Sequence, residues 1–115
     1  MSLINETRHA RLLAQGGQRA RDPAFDPLPA LKVYASVGRV VWLLAWAYPS
    51  DPGRLHTLCD AGTGFPGLID IRIEELETIR GPRGVRLAVE SSFVPVRPLS
   101  AYAERAAANG AYVEV

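Results

Sequence analysis

The sequence predicts one small α+β domain, an antiparallel or mixed sheet of four or five strands packed with two or three helices. Three observations lead there. The chain has 115 residues, near the commonest size of a single domain and enough to bury about two thirds of its unfolded surface. Apolar residues make up 48% and charged residues 22%, the balance of a globular domain rather than of a disordered chain or a coiled coil. Short runs rich in β-branched and aromatic residues are divided by glycine and proline turns, and only a few stretches carry helical spacing.

Taken in order, residues 3–15 read as a helix, with Glu6 in its first turn and Leu3, Ala10, Leu13 and Ala14 for an apolar side. Gly16-Gly17 is expected to end or fray it. Asp22 to Pro29 contains Pro23, Pro27 and Pro29, each without an amide donor, and reads as an extended linker. The expected organisation is a helical arm over 1–21, a linker over 22–30 and an α+β body over 31–115.

Leu31–Ser36 and Val40–Tyr48, on either side of Val37-Gly38-Arg39, read as a hairpin. Strict alternation in the second strand places Trp42, Leu44, Trp46 and Tyr48 on one face and Val41, Leu43, Ala45 and Ala47 on the other. Both faces are apolar, which predicts a central strand covered on both sides, with Trp42 and Leu44 in the core. Asp51-Pro52-Gly53 is expected to be a turn, Leu55–Cys59 a third strand, Asp60–Gly67 a glycine-rich loop and Leu68–Arg72 a short strand. Ile73, Leu76 and Ile79 repeat at helical spacing, with Glu74, Glu75 and Glu77 toward water and Gly81-Pro82 as the stop. Val85–Phe93 is a further expected strand. Ser100 is placed to cap an alanine-rich helix ending at Asn109-Gly110, and Ala111–Val115 could add an edge strand.

The longest apolar run, Val40–Tyr48, is about half of what a membrane-crossing helix needs, and the N-terminus carries no secretory h-region. With Cys59 as the single cysteine, a reducing, cytoplasmic setting without membrane association is expected. Net charge is +1 but unevenly spread. Arg8, Arg11, Arg19 and Arg21 against Glu6 give +3 over residues 1–21, which leaves −2 for the remainder. Such an arm suits an acidic protein partner, a second copy of the chain in a homodimer or, as an alternative, nucleic-acid phosphates, although no aromatic residues are interleaved with it. Trp46 and Tyr48 are a second candidate partner surface.

Gly62, Gly64 and Gly67 match G-x-G-x-x-G, and the stretch from Leu58 to Gly67 is also similar to the first motif of adenosylmethionine-dependent methyltransferases. Asp60, Gly62, Gly64 and Phe65 are therefore the candidate residues for a nucleotide-like ligand. Pro66 and the apolar Leu68-Ile69-Asp70-Ile71 predict extended chain where such a loop should open a helix, which favours a structural turn with Asp60 accepting backbone amides. His56 and Cys59 fall on opposite faces of a strand, so no metal site is expected. Nothing in the spacing of Asp60, Asp70 and Glu90 obliges them to meet as acid and base. No cofactor and no catalytic residue are predicted.

Several motifs together carry a resemblance. Lys32-Val33-Tyr34, Trp42-Leu43-Leu44, Leu58-Cys59-Asp60-Ala61-Gly62-Thr63-Gly64-Phe65-Pro66, Glu75-Leu76-Glu77-Thr78-Ile79-Arg80-Gly81-Pro82 and Pro98-Leu99-Ser100-Ala101-Tyr102 occur in the order and spacing of the bacterial family known as domain of unknown function 2958, across roughly residues 24–105. The chain resembles that family but departs from it at Gly67, Arg72, Trp46, Ala88 and Val89, where polar residues are usual, and has Glu90 at an aspartate position. The resemblance implies an accessory protein of a bacterial mobile element and supplies no activity. The function expected is a non-enzymatic domain that binds a protein partner.

Overall fold

The computed structural model describes residues 3–114. Helix α1 (Glu6–Arg21) starts at Asn5, whose side-chain oxygen accepts the Arg8 amide at 2.8 Å, a regular N-cap. It does not stop at Gly16-Gly17. Gly16 lies against the backbone of Ala47, so close that an added Cβ would sit 1.7 Å from the Ala47 carbonyl oxygen. Packing at this crossing carries the helix through two glycines that each disfavour it by about 1 kcal/mol. Leu12 on the same helix is fully buried, and Gln15 Nε2 donates to the Ala45 carbonyl at 2.5 Å.

The proline stretch after α1 is extended, as expected, but fastened to the rest. Pro27 and Pro29 are buried, the Leu99 amide donates to the Pro27 carbonyl at 2.8 Å, and Asp26 accepts both the amide and the hydroxyl of Ser100. Ser100 is thus held from outside its helix and is not the cap, a place taken by Pro98.

Five strands follow: β1 (Leu31–Ala35), β2 (Val41–Tyr48), β3 (Asp51–Asp60), β4 (Gly67–Arg72) and β5 (Leu87–Val89), in the spatial order β4-β3-β2-β1-β5. Every neighbouring pair is antiparallel. Asp51-Pro52-Gly53 belongs to β3, because Tyr48 already pairs with Asp51 and the turn is Pro49-Ser50. The strand expected over Val85–Phe93 narrows to β5. Before it Arg86 pairs back with Arg80, and after Glu90 the chain turns through a Phe93-to-Glu90 bond. Ala111–Glu114 forms no strand, Tyr112 and Glu114 being engaged by side chains of the body; Val115 lies outside the described residues.

Helix α2 (Ile73–Thr78) ends before Gly81-Pro82, which opens a 3-10 turn over Pro82–Gly84. Helix α3 (Leu99–Asn109) ends as expected at Gly110, left-handed at φ 69°, with the Ala111 amide returning to the Ala106 carbonyl.

Strict alternation fails in β2. Leu44 pairs with Thr57 and Trp46 with His56, so Ala45 is an extra residue, a β-bulge that reverses the phase of everything after it. Trp42, Leu44 and Ala47 pack in one core with Leu12, Val33, Leu55 and Leu76, whereas Leu43, Ala45 and Trp46 pack in the other with Leu58, Leu99 and Tyr102. Trp46 and Tyr48 therefore face the α3 side, opposite Trp42 and Leu44. The expectation of a central strand covered on both faces, with Trp42 and Leu44 in the core, agrees with the structure.

Two neighbouring glycines make the helix crossing testable. Gly16→Ala should lower unfolding stability by about 2–3 kcal/mol, because overpacking outweighs the helix propensity of alanine. Gly17→Ala, whose Cβ would meet nothing nearer than the end of the Arg21 side chain at 3.6 Å, should raise it by up to about 1 kcal/mol. Urea denaturation of both variants measures the difference, and equal effects would contradict the close crossing.

Candidate functional site

The glycine-rich loop joins two adjacent antiparallel strands, β3 and β4, whose last pair is Cys59 with Gly67. Gly62 and Gly64 take φ values of 79° and 88°, which only glycine adopts without strain. The chain therefore leaves the loop as a strand, with no helix N-terminus behind it to face a phosphate or a carboxylate. Asp60, 2% exposed, accepts the Gly62 amide at 2.8 Å through one oxygen and the Tyr112 amide at 2.7 Å through the other. Phe65 is 88% exposed at the tip. Cys59 is half-buried, and burial, with the charge of Asp60 beside it, pushes its thiol up to about 11, which disfavours the thiolate near neutrality.

A polar cluster that the sequence reading did not single out lies on the α3 side of β1. Lys32, 8% exposed, is paired with Glu90 at 3.0 Å and Glu114 at 2.5 Å, and lies over the Tyr112 ring at 5.1 Å. Burial opposes the charge of Lys32, but the two carboxylates outweigh it and raise its pKa. Tyr112 in turn stacks on Tyr102, with ring centroids 6.3 Å apart. Lys32, Asp60 and Tyr102 thus hold down the segment after α3. The signal was present in the sequence: a lysine between Leu31 and Val33 on a strand is seldom buried unless paired.

Trp46, His56 and Asp70 form a ladder across three strands. Their positions pair directly, Trp46 with His56 and His56 with Asp70. The His56 ring stacks on the indole at 4.4 Å, and its Nδ1 bonds Asp70 Oδ1 at 2.8 Å. Asp70 also accepts the Tyr48 hydroxyl at 3.0 Å and pairs with Arg54 at 2.6 Å. Burial pushes the Asp70 carboxyl up, but His56, Tyr48 and Arg54 together hold it below the ordinary value. Trp46, with Arg19 over its ring at 5.7 Å, is only 7% exposed. Asp70 sits here, Asp60 under Tyr112 and Glu90 beside Lys32, so the three carboxylates are engaged in separate clusters.

The four N-terminal arginines do not share one surface. Arg19 covers Trp46 and borders a groove of about 380 Å³ with Pro23, Tyr48 and Pro49, and Arg21 is exposed at the helix end. Arg8 and Arg11 belong to the opposite end of α1. Arg8 joins Arg80 and Arg86 around a groove of about 330 Å³ floored by Leu76 and Leu87. A second groove of about 210 Å³, which includes Arg11 and Phe93, shares Arg8 and Val89 with the first. Among the described residues none of these arginines forms an ion pair. The sequence signal for Arg80 and Arg86 was the segment Arg80-Gly81-Pro82-Arg83-Gly84-Val85-Arg86, three arginines with no acid between Glu77 and Glu90.

No group of three or more metal-ligating side chains is present among the described residues, and no described helix is long and apolar enough to cross a membrane. In comparison with known families, residues 3–113 match a family described as protein of unknown function (DUF2958). No curated protein and no solved structure matches the chain.

Two outcomes follow from the buried and half-buried carboxylates. Asp60→Ala leaves two amides without their acceptor and should cost about 2–3 kcal/mol in urea denaturation, while calorimetry of the wild-type chain with adenosylmethionine should show no binding; micromolar binding lost in Asp60→Ala would reverse this reading of the loop. Asp70 has a folded pKa below its unfolded one, so its stabilisation is complete above about pH 4 and disappears as pH falls through the folded value. Urea midpoints of the wild type and Asp70→Asn should accordingly differ near neutrality and converge in acid, and a constant gap would show that the carboxylate charge is not what matters.

Proposed function

We propose, for a chain that belongs to the DUF2958 family of proteins of unknown function, a non-enzymatic role in which it binds a protein partner as an accessory of a bacterial mobile element. The mobile-element setting rests on the motif resemblance alone. The binding role rests on one observation: Arg8, Arg80 and Arg86 converge on a groove in which Glu77 is the single carboxylate, and none of the three is ion-paired with it. Like charges gathered on one surface repel one another and disfavour the folded state unless something else neutralises them. Arginine is also the charged residue most favoured at the energetic centre of protein interfaces.

The lining favours protein over nucleic acid. Its apolar part is aliphatic, Leu3, Leu76, Leu87, Ala88 and Val89, with no aromatic ring for a base to stack on. The glycine loop, continuing as a strand, and the raised thiol of Cys59 give the enzymatic alternative no support beyond its motif.

Affinity capture from a bacterial host that carries the element tests the proposal. The wild-type chain should retain a protein that the triple variant Arg8→Ala, Arg80→Ala, Arg86→Ala loses, with about 2 kcal/mol or more of binding removed and cooperative unfolding kept, since among the described residues no arginine of the groove forms an ion pair and the relieved repulsion offsets the exposed main-chain bonds of Arg8 and Arg80. Retention of the partner by the variant, or loss of capture after nuclease treatment, would refute the groove as a protein-binding site.

A further inference from the structure

We infer that the occupant of the arginine groove is an extended, acidic segment of the partner protein, which places carboxylates on Arg8, Arg80 and Arg86 and an aliphatic side chain over Leu76 and Leu87. The inference rests on the protein-binding reading above and gives the partner its chemistry. Three observations carry it.

The first is charge. The groove presents three guanidiniums to one carboxylate, and the Arg80 side chain donates only to main-chain carbonyls, those of Glu77 and Ile79. Guanidinium geometry suits a carboxylate, which can accept two parallel bonds from it. The second is shape. At about 330 Å³ the groove is at the small end of ligand sites, with room for a few side chains rather than a domain surface, and the second groove adjoins it at Arg8 and Val89. Two small adjoining grooves suit an extended chain better than a domain surface.

The third is the sheet edge. β5 is the outer strand, and the Glu90 amide donates inward to the Lys32 carbonyl. In an antiparallel ladder hydrogen-bonded residues alternate, so Ala88 pairs inward with Tyr34 while the N–H and C=O of Val89 point away from β1. Val89 lines both grooves. An extended segment lying there meets, in the middle of its path, a main-chain donor and acceptor that face away from β1 and have no partner among the described residues, as in recognition by strand addition. The strand edge and the aliphatic floor match a peptide, whereas a nucleic-acid strand would find a stacking ring there only at Phe93 of the second groove.

The test uses the full chain and three fluorescein-labelled probes: a decapeptide of alternating glutamate and leucine, its lysine–leucine counterpart, and a single-stranded oligonucleotide of similar length. Fluorescence anisotropy should show binding of the glutamate peptide, weakened by salt, and none of the lysine peptide. Arg80→Ala and Arg86→Ala should each weaken it on the order of tenfold, and the Val89 amide resonance should shift on titration. Arg86→Glu should lose the glutamate peptide and gain measurable binding of the lysine peptide, a reversal that misfolding cannot produce. Equal binding of both peptides, or indifference to the arginine substitutions, overturns the inference. If the host partner is captured through the arginines while the glutamate peptide fails to bind, the segment is refuted and the protein-binding reading stands. Preference for the oligonucleotide over the glutamate peptide refutes both.

Discussion

Strand β2 has to satisfy two cores at once, and most of the fold follows from how it does so. Its neighbours β1 and β3 leave no main-chain edge open along Val41–Leu44, so the strand is fixed by hydrogen bonds while both faces are buried. An alternating strand would put both tryptophans on one side. The bulge at Ala45 divides them, with Trp42 beneath α1 and α2 and Trp46 toward the α3 side. Beyond Leu44 the strand has no β1 partner, and α1 takes that place: Gln15 satisfies the Ala45 carbonyl and Gly16 lies on Ala47. Bulge, helix crossing and glycine therefore form one arrangement, since a larger residue at position 16 would push α1 away from the strand that needs it.

The same reversal decides what Trp46 does. On the α3 side it lies opposite His56, and His56 opposite Asp70, so three successive strands contribute to one stack of aromatic, imidazole and carboxylate. Cross-strand pairs of this kind are the unit of sheet stabilisation. With Arg19 above the indole and Arg54 over the Tyr48 ring at 4.9 Å, the ladder is closed by cation–π contacts. Trp46 thus works inside the fold and offers little surface to a partner.

What could be read from the sequence was what local pattern controls. The β1–β2 hairpin, the two-sided burial of β2, the β4 strand, α2 and the Gly110 stop follow from periodicity and from residues with one conformational use. Two features escaped. Gly16-Gly17 looks like a helix end to any propensity argument, because the compensating contact with Ala47 is 31 positions away in the chain. The bulge is equally silent, since Ala45 fits either face and nothing local marks an extra residue. For the candidate sites, the engaged Asp60 was legible from its place before the glycines. The convergence of Arg8 with Arg80 and Arg86 was not, because it depends on where α1 begins relative to β5.

The pattern of charge satisfaction bears on which feature is functional. Buried Lys32 has two carboxylates, buried Asp60 has two amides, and Asp70 has a histidine, a tyrosine and an arginine. Burying such groups unpaired would cost several kcal/mol each, so their pairing is what folding alone requires. These clusters are accounted for without any ligand. Arg8, Arg80 and Arg86 are different: among the described residues none has a carboxylate partner, Arg8 and Arg80 donate only to main-chain carbonyls, and separation would relieve their mutual repulsion. Their gathering beside the outer strand at Val89 is what the proposed binding role rests on.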